Sequence, residues 1–119
     1  MKIVTLILLL LFAVTSAEAK LVVIGSGEAA RIDPAKFPPA MQDAYKVFQV
    51  KCIKCHSLER SVIALQTGIA PITGGLFDRT ATKAYGIKML RKPDSDMSKD
   101  DVKVVVELLN FMLDEAAKP

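Results

Sequence analysis

Apolar positions along the chain fall into two long stripes with the period of an α-helix. Met41, Ala44, Tyr45 and Phe48 form the first. They predict a helix that starts at Pro39, a residue suited to a first helical turn, and ends near Lys51. Val102, Val105, Val106, Leu109 and Leu113 form the second, opened by Ser98 and Asp101 in the spacing of a capping box. Between the stripes, Thr67-Gly68, Pro71 and Thr73-Gly74-Gly75 are turn signals, so residues 57–80 read as loop with short helical pieces. Ala81 to Arg91 predicts a shorter helix carrying Tyr85 and Met89, and Pro93-Asp94-Ser95-Asp96 a further turn. Asp114 to Pro119 reads as a fraying tail. The pattern predicts an all-α domain without a sheet.

The start of the chain has a different character. Lys2, the apolar run Ile3 to Val14 with Leu6 and Leu8 to Leu11, and the small-x-small run Ala17-Glu18-Ala19 have the order of an export leader. This predicts a signal peptide over 1–19 cleaved after Ala19, an N-terminal arm over 20–38, a folded domain over 39–119 and a periplasmic location. The apolar run is short for a membrane span, which takes about 20 residues; an uncleaved anchor is the alternative. No cysteine stands near the cleavage site, which excludes a bacterial lipoprotein anchor. In the arm, Gly25-Ser26-Gly27-Glu28-Ala29-Ala30 follows Leu21 to Ile24 and matches the G-x-G-x-x-A pattern of dinucleotide loops. Asp33-Pro34 interrupts the helix that such a loop requires, so the arm reads as flexible or edge-packed and not as a nicotinamide site.

Composition narrows the partners. Sixteen basic and thirteen acidic residues give a formal charge of +3, unchanged when the leader removes Lys2 and Glu18. So mild a surplus suits acidic protein partners, and no aromatic-interleaved basic patch makes a case for nucleic acid. The expectation is a monomer without stable membrane insertion.

Chemistry concentrates at Cys52-Ile53-Lys54-Cys55-His56. Two thiols one helical turn apart can each add to one vinyl group of a single porphyrin, and the next residue then sits below the iron. The run is the c-type haem attachment signature, with Cys52 and Cys55 as thioether donors and His56 as proximal axial ligand to iron. The sequence contains two cysteines and one histidine, so one haem c uses all three. A covalently held haem also staples a domain of about 100 residues whose own core is small.

Taken together, Phe48-x-x-x-Cys52-x-x-Cys55-His56, the stretch Pro71-x-x-x-Gly75-Leu76-Phe77-x-Arg79 and the acid-capped last helix resemble the class I cytochromes c over roughly residues 39 to 114. The resemblance implies a cytochrome c fold, with N- and C-terminal helices packed across the haem. It implies that the Pro71 carbonyl accepts a hydrogen bond from the second ring nitrogen of His56, fixing its tautomer. It places Arg79 near a haem propionate and packs Phe48 against the C-terminal helix around Leu108, Leu109 or Phe111. Two departures stand out: Ala44 occupies a helix-crossing position where the family often has glycine, and only nine residues separate Arg79 from Met89.

The sixth iron ligand is open to four methionines once the leader has taken Met1. Met41 and Met112 fall on the helical stripes and read as core. Met97 precedes the Ser98 cap, where an apolar residue serves as a hydrophobic staple. Met89, before Lys92-Pro93, resembles the ligand segment of short bacterial cytochromes c and is favoured, with Met97 as the alternative.

The function implied is one-electron transfer in a periplasmic respiratory chain, without enzymatic turnover. Lys51, Lys54, Lys83, Lys88, Arg91 and Lys92 would ring the haem edge and steer acidic redox partners. The competing readings are a haem enzyme or gas sensor with an open sixth position, and the cytochrome subunit of a larger dehydrogenase or reductase. A thiol-disulfide oxidoreductase would need a thioredoxin-like sheet around the cysteines, and a structural zinc site a fourth ligand.

Overall fold

The computed structural model describes residues 21–119. The leader expected over 1–19, and its cleavage after Ala19, lie outside the described residues. Four helices carry the fold, as expected of an all-α protein: α1 (Pro39–Cys52), α2 (Glu59–Thr67), α3 (Arg79–Leu90) and α4 (Lys99–Ala116). Helix α4 is the hub against which α1, α2 and α3 all pack. None of the described helices is long and apolar enough to cross a membrane.

The arm before α1 departs from the expected absence of a sheet. Val23–Ile24 (β1) pairs antiparallel with Arg31–Ile32 (β2), Val23 opposite Ile32. Gly25 makes the reversal possible: its φ is +76°, and a Cβ there would meet the Ala29 carbonyl oxygen at 2.5 Å. A single 3₁₀ turn over Gly27–Ala29 completes it. The G-x-G spacing therefore serves a tight turn, and a strand follows it where a dinucleotide loop would open a helix. Ile32 is buried in the core, and the Phe37 ring stands edge-on to Tyr45 at 6.1 Å and to Phe111 at 5.0 Å. Two-residue strands are too short for a period of two to register.

Helix α1 starts as its prolines predict. Pro39 needs no amide partner, and the Pro38 carbonyl accepts from the amides of Met41 and Gln42. The Gln42 side chain reaches back to the Phe37 carbonyl at 2.9 Å, fixing the lead-in. Ala44, Tyr45 and Phe48 form the buried face, as the spacing predicts.

Residues 57–80 hold more structure than the turn signals indicate. Helix α2 runs for nine residues, buries Val62, Ala64 and Leu65, and ends at Gly68, whose φ of +71° lets its amide bond the Ala64 carbonyl. The segment beyond folds on itself. Ala70 N–H donates to the Gly75 carbonyl and Phe77 N–H to the Gly68 carbonyl, both at 2.8 Å.

Helix α3 starts two residues earlier than predicted, because the Asp78 carboxylate caps it by accepting from Ala81 N–H at 2.9 Å. Gly86 then lets α3 approach α4 closely. A Cβ there would meet Val106 Cγ2 at 2.8 Å and Val102 Cγ1 at 3.0 Å. The family resemblance looked for a glycine contact at Ala44 on α1; here the glycine that grips α4 is on α3.

The capping box of α4 is formed in both directions. Ser98 N–H donates to Asp101 Oδ2 at 2.8 Å, and Asp101 N–H to Ser98 Oγ at 3.0 Å. Val105 and Leu109 are buried as predicted, together with Leu108 and Met112, which are fully enclosed. Enclosing a side chain of that size stabilises by about 1.5–3 kcal/mol. The expected fraying tail is shorter: α4 continues to Ala116, with Glu115 buried and bonded to Lys118.

Candidate cofactor site

The last turn of α1 delivers Cys52, and the chain turns through Ile53 to His56 before α2 begins at Glu59. This corner opens onto a cavity of about 910 Å³, its mouth included, lined by α1, α2, the 70–77 segment, α3, Met97 and the middle of α4. Phe48, Ala64, Phe77, Val105 and Leu109 give it apolar walls. Because these side chains also belong to the buried core, the helix packing itself fixes the cavity's shape.

Five of the seven residues singled out in the sequence reach this cavity: Cys52, His56, Pro71, Met89 and Met97. Both cysteines are free thiols. Cys52 is half-buried, and burial pushes its thiol up to about 11; Cys55 is exposed. His56 Nδ1 lies 2.8 Å from the Ser57 carbonyl oxygen. With the proton on Nδ1 donated there, Nε2 keeps a lone pair for a metal.

The acceptor is therefore Ser57, where the resemblance implied Pro71. The turn into α2 brings the adjacent carbonyl to the ring, while the Pro71 segment closes through its own hydrogen bonds. Arg79 does not line the cavity. Capping by Asp78 makes it the first residue of α3, and its guanidinium donates to Asp114 on α4 at 2.6 Å. Arg60, in the first turn of α2, is the arginine that lines the cavity. It stands four residues beyond His56, a place in the wall legible only once α2 is recognised.

Met89 at the end of α3 and Met97 just before the Ser98 cap both line the cavity. Met97 also packs against the core cluster, as a staple would, whereas Met89 is not part of that packing. Met112 is fully buried and Met41 partly so, both against the core. A polar contact missed in the sequence joins two lining residues, Tyr85 on α3 and Thr73 of the Pro71 segment, whose hydroxyls are 2.9 Å apart.

The basic residues divide into two groups. Lys51 and Lys54 both engage Asp96, and Lys51 also lies 3.6 Å from Asp101. The Lys54 hydrogen bond, followed by the charge of Lys51, holds the Asp96 carboxyl below its ordinary range. Lys83, Lys88, Arg91 and Lys92 remain exposed on and after α3 without an acidic partner among the described residues.

Among the described residues, no three His, Cys, Asp or Glu side chains converge to hold an ion by themselves. Compared with protein-family models, curated proteins and solved structures, the chain matches none.

Proposed function

We propose that this chain is a monohaem c-type cytochrome, carrying one electron at a time between protein partners in a periplasmic respiratory chain. The observation that carries the reading is that Cys52 and His56 of the Cys52-x-x-Cys55-His56 motif line an apolar cavity that Met89 and Met97 also line, with Cys55 exposed beside it.

The residues fit the group. The walls are apolar, an imidazole with a lone pair and two thioethers share the cavity, and a thiol stands at its edge. A porphyrin brings four nitrogen ligands of its own, so the protein needs to add two and not a cluster of three or more. Cys52 and Cys55 would attach the haem covalently, which supplies an iron that gains or loses one electron. His56 Nε2 and a methionine sulfur would fill the axial positions, Met89 being favoured because core packing already accounts for Met97. The Ser57 carbonyl holds the imidazole in one tautomer. The pair α1 and α4 takes the part of the crossed terminal helices of the cytochrome c fold.

The basic group on α3 is the proposed docking face for acidic partners, because Lys88 belongs to both the cavity lining and the exposed cations. Electron-transfer rates with such partners should fall as ionic strength rises.

The test is an absorption spectrum of the exported, haem-loaded protein, oxidised and reduced, with and without carbon monoxide. A sharp low-spin reduced spectrum that carbon monoxide leaves unchanged supports a closed His/Met carrier. A high-spin or carbon-monoxide-responsive spectrum would replace it with a haem enzyme or gas sensor.

A further inference from the structure

The turn between α3 and α4 is pinned at one carboxylate. Lys92 N–H donates to the Met89 carbonyl at 3.2 Å, and the Ser95 hydroxyl reaches the Leu90 carbonyl at 3.5 Å, so the turn closes the end of α3. It continues through Asp94 and Asp96, at φ of 57° and 53°, a left-handed backbone that Asp adopts more readily than most residues. Met97 and the Ser98 cap follow. Met89 and Met97 therefore sit at the two ends of one turn, and both line the cavity.

Lys51 and Lys54 hold that turn from the far side of the sequence, 45 and 42 residues away. Lys51 Nζ bonds the Asp96 carbonyl at 2.6 Å, and both ammonium groups engage the Asp96 carboxylate. The two lysines flank Cys52 and precede Cys55, so the contact joins the haem-attachment corner to the methionine turn.

We infer that Asp96 is a positioning residue: through Lys51 and Lys54 it latches the methionine turn against the attachment corner and keeps the axial thioether seated. The inference rests on the haem reading above. Releasing the latch would free the thioether more often, whichever methionine supplies it, and leave a bound haem more accessible to an outside ligand.

The experiment measures imidazole binding to the oxidised, haem-loaded protein and amide exchange over residues 92–98 in the haem-free chain. Asp96→Asn should bind imidazole about threefold more tightly, the size expected for exposed ion pairs, and exchange faster over the turn. Asp43→Asn, which breaks the exposed Lys46 pair on α1, should change neither. Lys54→Gln tests the same latch from its other side, and should act like Asp96→Asn even where that variant loads haem poorly. Salt at about 1 M should raise the wild-type imidazole affinity to the Asp96→Asn value. A low-spin wild type whose affinity and exchange both variants leave unchanged overturns the latch alone. A wild type that never gives a low-spin haem spectrum overturns the haem reading and the latch with it.

Discussion

The fully buried hydroxyl of Thr82 on α3 lies 2.7 Å from Asn110 Oδ1 on α4, in the same seam where Gly86 meets Val102 and Val106. The seam sets how close α3 lies to α4, and α3 carries Met89 and Tyr85 to the cavity. Gly86→Ala gains up to about 1 kcal/mol of helix propensity. It also forces a methyl against two branched tips at once, which costs about 1–3 kcal/mol. The crowding should win. Urea unfolding should show Gly86→Ala less stable than wild type, and an unchanged midpoint would mean that the seam relaxes freely.

Met89→Ala should abolish the sulfur-to-iron charge-transfer band of the oxidised haem protein, while Met97→Ala should keep it and lose stability instead. Met97 packs against the core and Met89 does not. Truncating a buried methionine costs about 2–5 kcal/mol, and Met97, being only partly buried, belongs at the lower end. A band that survives in Met89→Ala and vanishes in Met97→Ala would exchange the two roles.

Cys55 should alkylate before Cys52 in the haem-free chain. The thiolate is the reactive form, and burial holds the Cys52 thiol up to about 11, while Cys55 stands in solvent. Iodoacetamide at neutral pH, followed by peptide mass mapping, should show a rate ratio of about tenfold or more. Equal rates would mean that the end of α1 frays enough to expose both.

Stability should fall in acid through Asp101. Its carboxyl is held below the usual 3.8 by the Ser98 backbone amide first, with the Ser98 hydroxyl and Lys51 adding to it. A carboxyl lowered in the folded state contributes stability that is present above its unfolded value. That stability is lost as pH falls through the lower folded one. Unfolding free energy should therefore decline below about pH 4, and Asp101→Asn should flatten that decline. Ser98→Ala removes the reciprocal cap and should cost about 0.5–2 kcal/mol at neutral pH.

Arg60→Gln should move the reduction potential of the haem protein, because Arg60 is the arginine that lines the cavity. Arg79→Gln should leave it unchanged. That side chain forms an exposed pair with Asp114, worth about 0–1 kcal/mol of stability. Electrochemistry on the two variants distinguishes them, and a shift confined to Arg79→Gln would restore the role implied by the family resemblance.

Much of the helical framework was readable before folding, because it rests on local signals. Pro39, the Phe48 stripe and the Ser98–Asp101 box act within a few residues of one another, and α1 and α4 stand where those signals put them. Short helical pieces were legible over residues 57–80, but the extent of α2 was not, since Gly68 and Pro71 dominate the reading of its segment while its buried face of Val62, Ala64 and Leu65 is short. The start of α3 is set by the Asp78 cap, which stands ahead of the first apolar residue of its pattern.

By itself the sequence determined the chemistry on offer: two thiols and an imidazole at a spacing set by covalent geometry, and thioethers within a short reach of chain. Tertiary structure alone decided which side chains share the cavity. Arg79 turns to Asp114, Arg60 takes a place in the wall, and the two lysines beside Cys52 spend their charge on Asp96. Partners 35 to 45 residues apart are chosen by how the helices pack on α4, and no local pattern in the chain encodes that choice.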